Sequence, residues 1–244
     1  MKDPDDEKFQ ANNHPTVFHE LLSSTELPAS DRNSTHFMEE ALAFVSAGQV
    51  TTAAHLTATS FHLLANPEVL RKLKRELCSA MPDAETLLPL EKLEQLEYLS
   101  AVVHEGHRVT DGVIHRLQRV SPKLPIVYNG WTIPPGTPVG MTSIMTHDDP
   151  ETFPSPRTFD PSRFLGEEGQ KRKRCLVHFS RGTRSCIGQN LANAELFFAL
   201  AAVFRRFDLE LYHTVRADVD VAADYFAPVP RKGSKGVRVL VKVS

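Results

Sequence analysis

The chain has 244 residues, 41% hydrophobic and 24% charged, with 28 Lys and Arg against 30 Asp and Glu for a formal charge of −2. These values exclude collagen-like, disulfide-scaffold and wholly disordered classes, and they give no global electrostatic reason to expect nucleic acid or an anionic membrane as a partner. Cys78, Cys175 and Cys186 are odd in number and form no C-x-x-C pair. Neither a disulfide framework nor a four-cysteine zinc site is expected, and a reducing compartment is the simpler reading.

Met1 to Asn13 is polar and acid-rich with no apolar h-region, and no run of about 18 apolar residues occurs, so neither a secretory signal nor a membrane span is expected in this chain. Residues 1 to 33 read as a polar leading segment with one short helix at the apolar island Val17 to Leu22. Ser34 is an N-cap candidate for a helix of about thirty residues that runs to Leu64. Asn66-Pro67-Glu68 starts the next helix, with a capping side chain and proline at the first helical position, and Met81-Pro82-Asp83 breaks it. Leu93, Leu96, Leu99, Val102 and Val103 predict a third helix that reaches Glu105 and Arg108.

The pattern then changes to short Val-rich strands. Asn129-Gly130 reads as a two-residue hairpin turn, and six prolines between positions 134 and 156 leave little regular structure expected over 147–175. A last helix from Gln189 to Phe207 precedes a terminal β region at Val237 to Val241. Helices followed by short strands predict a mainly α protein with small β-sheets.

The chemistry concentrates in Phe179-Ser180-Arg181-Gly182-Thr183-Arg184-Ser185-Cys186-Ile187-Gly188, which runs directly into the last helix. A cysteine there meets the helix dipole and unpaired backbone N–H groups, which favour thiolate, a nucleophile or soft metal ligand. Gly182 and Gly188 allow close backbone approach by a large planar ligand. Phe179 is placed to shield the sulfur, and Arg184 to pair with an anionic group. An isolated cysteine in a Gly-rich turn would read as a structural residue; the whole F-x-x-G-x-R-x-C-x-G string does not.

With that string the sequence resembles the cytochrome P450 haem-thiolate monooxygenases, and among them the fungal microsomal-type members, over about residues 15 to 244. Three further elements stand in the family's order: Ala47-Gly48-Gln49-Val50-Thr51-Thr52 in the long helix, Glu105-Gly106-His107-Arg108 as E-x-x-R, and Pro161-Ser162-Arg163-Phe164 as P-x-R-F. The resemblance implies the C-terminal half of the P450 fold, with a long central helix, a Cys-ligand loop and a following helix. Residues 34–244 would then be the haem-binding half of one larger domain.

It also implies haem with its iron held by the axial thiolate of Cys186. Arg184 and Arg119 would bind its propionates, with Arg116 as the competitor of Arg119. Phe179, Gly182 and Gly188 would frame the ligand loop, and Thr51 would help deliver protons to bound dioxygen. Glu105, Arg108 and Arg163 match a scaffolding ion cluster. Alone, a Glu and Arg at this spacing usually form a solvated surface pair. Val113, Ile114, His115 and Phe226-Ala227-Pro228 match pocket-lining segments, although core packing explains them almost as well.

The activity implied is hydroxylation of an apolar small molecule with electrons from NADPH through a reductase, in fungal secondary metabolism of terpenoids or polyketides. A full-length member would sit at the endoplasmic reticulum membrane through an N-terminal anchor, and that anchor is missing from this chain. Lys171-Arg172-Lys173-Arg174 reads as a solvated loop or as a docking surface for an acidic redox partner. Val50 stands where many members carry an acid. It leaves open a haem-thiolate isomerase or dehydratase, and the matched half alone leaves open a truncated, inactive relic. His104 and His107 lack the H-E-x-x-H spacing, and the eleven histidines are scattered with no common purpose expected.

Overall fold

A computed structural model of the chain describes residues 16–243; the polar run from Met1 through Pro15 lies outside the described residues. The chain divides into two units, one up to Gln49 and one from Val50. In the first, helix α1 (Val17–Ser23) forms where the apolar island predicts it. Thr16 caps it: the hydroxyl faces the His19 backbone N–H, and the His19 ring reaches back to the Thr16 N–H, each at 3.4 Å. The Phe18 and Phe37 rings lie 6.2 Å apart.

Helix α2 (Ser34–Ala65) is 32 residues long and passes from one unit into the other. Its cap is Asn33 rather than Ser34, because the Asn33 carboxamide oxygen accepts the His36 N–H at 3.0 Å. Helix α3 (Pro67–Ala80) starts at the predicted proline. Asn66, however, turns its amide back to donate to the His62 carbonyl at 2.7 Å, so it closes α2 instead of capping α3. The predicted third helix is two pieces, α4 (Leu90–Glu94) and α5 (Glu97–Thr110). The break is filled from outside: the Glu76 carboxylate on α3 accepts the Tyr98 and Leu99 N–H groups at 2.8 Å each and caps α5.

Helix α8 (Gln189–Arg206) completes the second unit's core. Leu63, Leu73, Leu77, Leu99, Leu200 and Phe204 from α2, α3, α5 and α8 are almost wholly buried against one another. Each such side chain contributes roughly 1.5–3 kcal/mol of transfer free energy.

The strands form two-stranded antiparallel sheets: β1 (Arg119–Val120) with β4 (Pro138–Val139), β2 (Ile126–Tyr128) with β3 (Trp131–Ile133), β5 (Phe207–Leu211) with β8 (Val239–Val243), and β6 (Ala223–Tyr225) with β7 (Ala227–Val229). The β2–β3 turn is the predicted one: Tyr128 faces Trp131, and Asn129 and Gly130 both take positive φ, 47° and 79°.

The stretch 147–175 is more regular than the prolines suggest. It follows a short helix α6 (Ser143–His147) and contains a 3-10 turn Pro161–Phe164 and helix α7 (Gly166–Lys173). None of those prolines falls within α7, which has acids in its first turn and bases in its last. The basic run 171–174 thus sits on a helix end, not in a loop, with Arg172 donating to the Arg163 carbonyl at 3.1 Å and Lys171 paired with Glu168.

What holds this segment to α5 is a buried ion cluster. Glu105 is 0% exposed, Arg108 1% and Arg163 7%. Arg108 donates twice to the Glu105 carboxylate at 2.8 Å, Arg163 adds a third bond at 3.2 Å, and the Asp160 N–H a fourth at 2.8 Å. The remaining guanidinium donors go to the carbonyls of His147, Pro154, Ser155 and Thr158. Burial pushes the Glu105 carboxyl above the usual carboxylate range, and the two guanidinium groups and the Asp160 N–H oppose that push.

Glu105→Ala would leave two buried cations without their counter-charge and is expected to cost about 3–5 kcal/mol. Urea unfolding should show the midpoint falling at constant slope. A loss below about 1 kcal/mol would mean that packing, not charge, holds the segment.

Candidate functional site

Cys186 lies three residues before α8, in a loop fixed by backbone bonds: its N–H donates to the Phe179 carbonyl at 2.9 Å, and the Ser185 N–H to the Gly182 carbonyl at 3.0 Å. Its thiol is exposed and faces a cavity of about 790 Å3. Thr51, Arg119, Phe179 and Arg184 line the same cavity. Five residues separated by up to 135 positions in sequence therefore meet at one site.

Arg119, on β1, reaches across to the loop and donates to the Ser180 hydroxyl at 2.9 Å and the Arg181 carbonyl at 3.2 Å. Arg116 is not among the cavity-lining residues. Gly182 and Gly188 are not among the cavity-lining residues either. A Cβ on Gly182 would meet nothing within 4 Å; the position needs glycine because φ is +81°. Gly188 has an ordinary φ of −86°, and its Cβ would stand 4.0 Å from the Cys186 Sγ.

Val113 and His115 line the cavity, whereas Ile114 is buried and donates its N–H to the Phe226 carbonyl at 3.2 Å. Phe226 is itself exposed at the tip of the β6–β7 hairpin, with φ 75°.

The histidines are not scattered in space. His55 on α2, His107 on α5 and His178 in the cysteine loop form a ring cluster: His55 meets His107 edge-on at 4.5 Å, and His107 stacks on His178 at 3.8 Å. His107 is pinned by Asn193 on α8, Nε2 to Oδ1 at 2.9 Å, and touches Phe179 edge-on at 5.1 Å. His147 adds a second tie. The Val177 N–H donates to its Nε2 at 3.0 Å, so its proton is on Nδ1 and is donated to Asp111 at 2.8 Å. These contacts fasten the cysteine loop to α5, α6 and α8. One signal was visible in sequence: His55 follows Thr51 by four residues and so shares its helix face.

Burial holds these rings neutral. His55 is lowered to about 3 by desolvation, His62 to about 4 by desolvation and then Arg216, and His107 and His178 lie well below the usual imidazole value through desolvation and their histidine neighbours. The unfolded chain, with imidazoles near 6.5, binds more protons below that pH than the folded one does. Their stabilising effect is therefore complete above pH 6.5 and lost as pH falls, by up to about 1.4 kcal/mol per pH unit for each histidine. Urea midpoints measured from about pH 7 to about pH 4 should fall steeply for the native chain and less steeply for His107→Leu.

Among the described residues no helix is long and apolar enough to cross a membrane. A family model described as Cytochrome P450 matches residues 4–223. The chain is 45% identical over 228 residues to the tryptophan 6-hydroxylase fscE of Fusarium equiseti, covering 93% of this chain and 44% of that protein. It is 45% identical over 238 residues to the cytochrome P450 monooxygenase sdnE of Sordaria araneosa, with 96% and 46% covered. It is 43% identical over 229 residues to the N-acetyltryptophan 6-hydroxylase ivoC of Emericella nidulans, with 92% and 44% covered. The chain thus spans less than half the length of these relatives. The extent of the family match, and the order in which the cysteine loop, the E-x-x-R helix and the P-x-R-F turn occur along the chain, establish that it belongs to the cytochrome P450 family.

Proposed function

We propose that this chain is the haem-binding half of a haem-thiolate monooxygenase that hydroxylates an apolar small molecule. The observation that carries the reading is that Cys186 lines the same cavity as Thr51 and three arginines, Arg119, Arg181 and Arg184. The donor set suits an iron porphyrin: one sulfur for the metal, Arg119 and Arg184 for two carboxylates, and apolar walls such as Val113, Ile133, Val139 and Leu196 for the macrocycle and substrate.

Thiolate-ligated haem, when bound, supplies electron density that favours O–O cleavage. The chain's residues do the rest. Cys186 would hold the iron from the loop, and Phe179, whose carbonyl accepts the Cys186 N–H and whose ring packs on His107, would shield the sulfur once the group is seated. Arg119 and Arg184 would pair with the ring's carboxylates, and the Thr51 hydroxyl, on the lining of the same cavity, would hold a proton. The basic end of α7, with Lys171 and Arg174 toward solvent, is the surface for an acidic, NADPH-dependent reductase. A role in fungal secondary metabolism accords with the fungal sources of the relatives.

A second reading, a haem-thiolate isomerase or dehydratase, draws on Val50, an apolar side chain beside Thr51. The two separate on electron demand: a monooxygenase gives product only with NADPH and reductase, an isomerase or dehydratase without them.

Haem-loaded chain, reduced and exposed to carbon monoxide, should show the red-shifted band of thiolate ligation, and Cys186→Ser should lose it. Absence of any bound haem in the native chain would leave an inactive relic. Haem titration should show Arg119→Ala and Arg184→Ala each weakening affinity by about 10- to 100-fold, the equivalent of one charge-assisted hydrogen bond of roughly 1.5–3 kcal/mol. Arg116→Ala should change it little.

A further inference from the structure

Helix α5 touches both elements that carry the chemistry of the cysteine-lined cavity. Its His107 meets His55 of α2 edge-on and stacks on His178 of the cysteine loop. At each of these two contacts stands a glycine whose missing side chain decides how close the neighbour comes.

The first is Gly106, inside α5, where glycine weakens a helix relative to alanine. Its left-handed freedom is not used there, so the reason for it lies in what it touches. On α2, Thr51, His55 and Thr59 follow one another four residues apart and share a helix face, and Thr51 and His55 line the cavity. That face rests on Gly106: a Cβ there would stand 2.4 Å from Thr59 Oγ1, 2.5 Å from His55 Nε2 and 2.9 Å from His55 Cε1. Neither side chain has room to yield. Thr59 is 0% exposed and His55 5%. The His55 ring is wedged against His107 at 4.5 Å, and its Nδ1 faces the Thr110 hydroxyl at 3.4 Å, which in turn donates to the Gly106 carbonyl at 2.8 Å. The second glycine, Gly112, follows α5 with φ 64°, and a Cβ on it would stand 2.7 Å from the His178 carbonyl oxygen of the cysteine loop.

We propose that α5 gauges the cavity, with Gly106 as a positioning residue that lets α2 settle directly on α5 and so sets where Thr51 stands relative to Cys186. The value of that setting for the chemistry rests on the monooxygenase reading. With alanine at 106, the 2.4 Å contact must open to an ordinary 3.4 Å or more, a displacement of about 1 Å. Because His55 and Thr59 are held in place, α2 itself takes up the displacement. The helix is continuous and Thr51 lies about one turn before His55, so Thr51 moves with it. A misplacement of about 1 Å caused from outside the reacting groups can cost about 100-fold in rate. The Gly112 contact holds the other side of the gauge, where the loop that carries Cys186 meets the end of α5.

The test has two arms. Crystal structures of the native chain and of Gly106→Ala should show Thr51 moved by about 1 Å relative to Cys186, with the Glu105 cluster in place. Should Gly106→Ala not fold, Gly106→Ala/Thr59→Ala keeps only the His55 contact and should show a shift of similar size. Adding His55→Ala to that pair removes both contacts and should return Thr51 to its native place. A Thr51 that stays put while Thr59 or His55 turns aside overturns the gauge, and so does a shift that persists in the triple variant. In haem-loaded, reduced chain with carbon monoxide bound, Thr51→Ala should shift the C–O stretching band in the native background and no longer do so beside Gly106→Ala. Equal shifts in the two backgrounds overturn the gauge. If Thr51→Ala leaves the band of the native background unmoved, the place given to Thr51 in the monooxygenase reading fails, and the crystallographic arm still decides whether Gly106 sets the position of α2.

Discussion

A carboxylate buried between two guanidinium groups is the constraint on which the rest of this structure depends. Glu105 has no contact with solvent, and its charge is tolerable only because Arg108 and Arg163 surround it and spend their remaining donors on backbone carbonyls. Such a cluster works as a unit: removing one member leaves an uncompensated charge in a medium that cannot solvate it. Together with the buried rings of Phe159 and Phe164, it therefore fixes where the 154–164 segment lies on α5.

From that anchor the chain passes through α7 into the cysteine loop, and the loop is fastened by imidazoles instead of aliphatic packing. His147 joins Asp111 at the end of α5 to the Val177 N–H, and His107 joins Asn193 on α8 to the stacked His178. Neutral rings offer one donor and one acceptor each, so they bond backbone and side chains in fixed directions. Direction is what the cysteine loop needs, since a sulfur displaced by an ångström no longer faces the same point in its cavity. Acid opposes the same arrangement, because burial disfavours a charge on His107 and His178.

Local chemistry explains what could be read along the chain. Pro67 at a first helical position, Asn129-Gly130 in a two-residue turn and the long apolar runs of α2 and α8 act through neighbours within a few residues, and they appear in the structure where the sequence places them. The misreadings share the opposite character. Asn66 bonds backward to His62, Glu76 caps a helix more than twenty residues away, and the basic run lies on a helix that packs on the Phe164 backbone through Gly169. In each case a partner distant in sequence, or on the unexpected side, decided the outcome.

The sequence by itself determined the family, the cysteine and its loop, and the identity of the residues in the ion cluster, because those depend on residue types at fixed spacing. Only the tertiary structure decided that Arg119 rather than Arg116 faces the cavity, that Gly182 serves its own backbone, and that histidines 55, 107 and 178 meet. Those three come from a long helix, a second helix and a loop, and no local spacing encodes their approach. Burial then sets their chemistry: the same imidazole that would titrate near 6.5 in water stays neutral where three elements close over it.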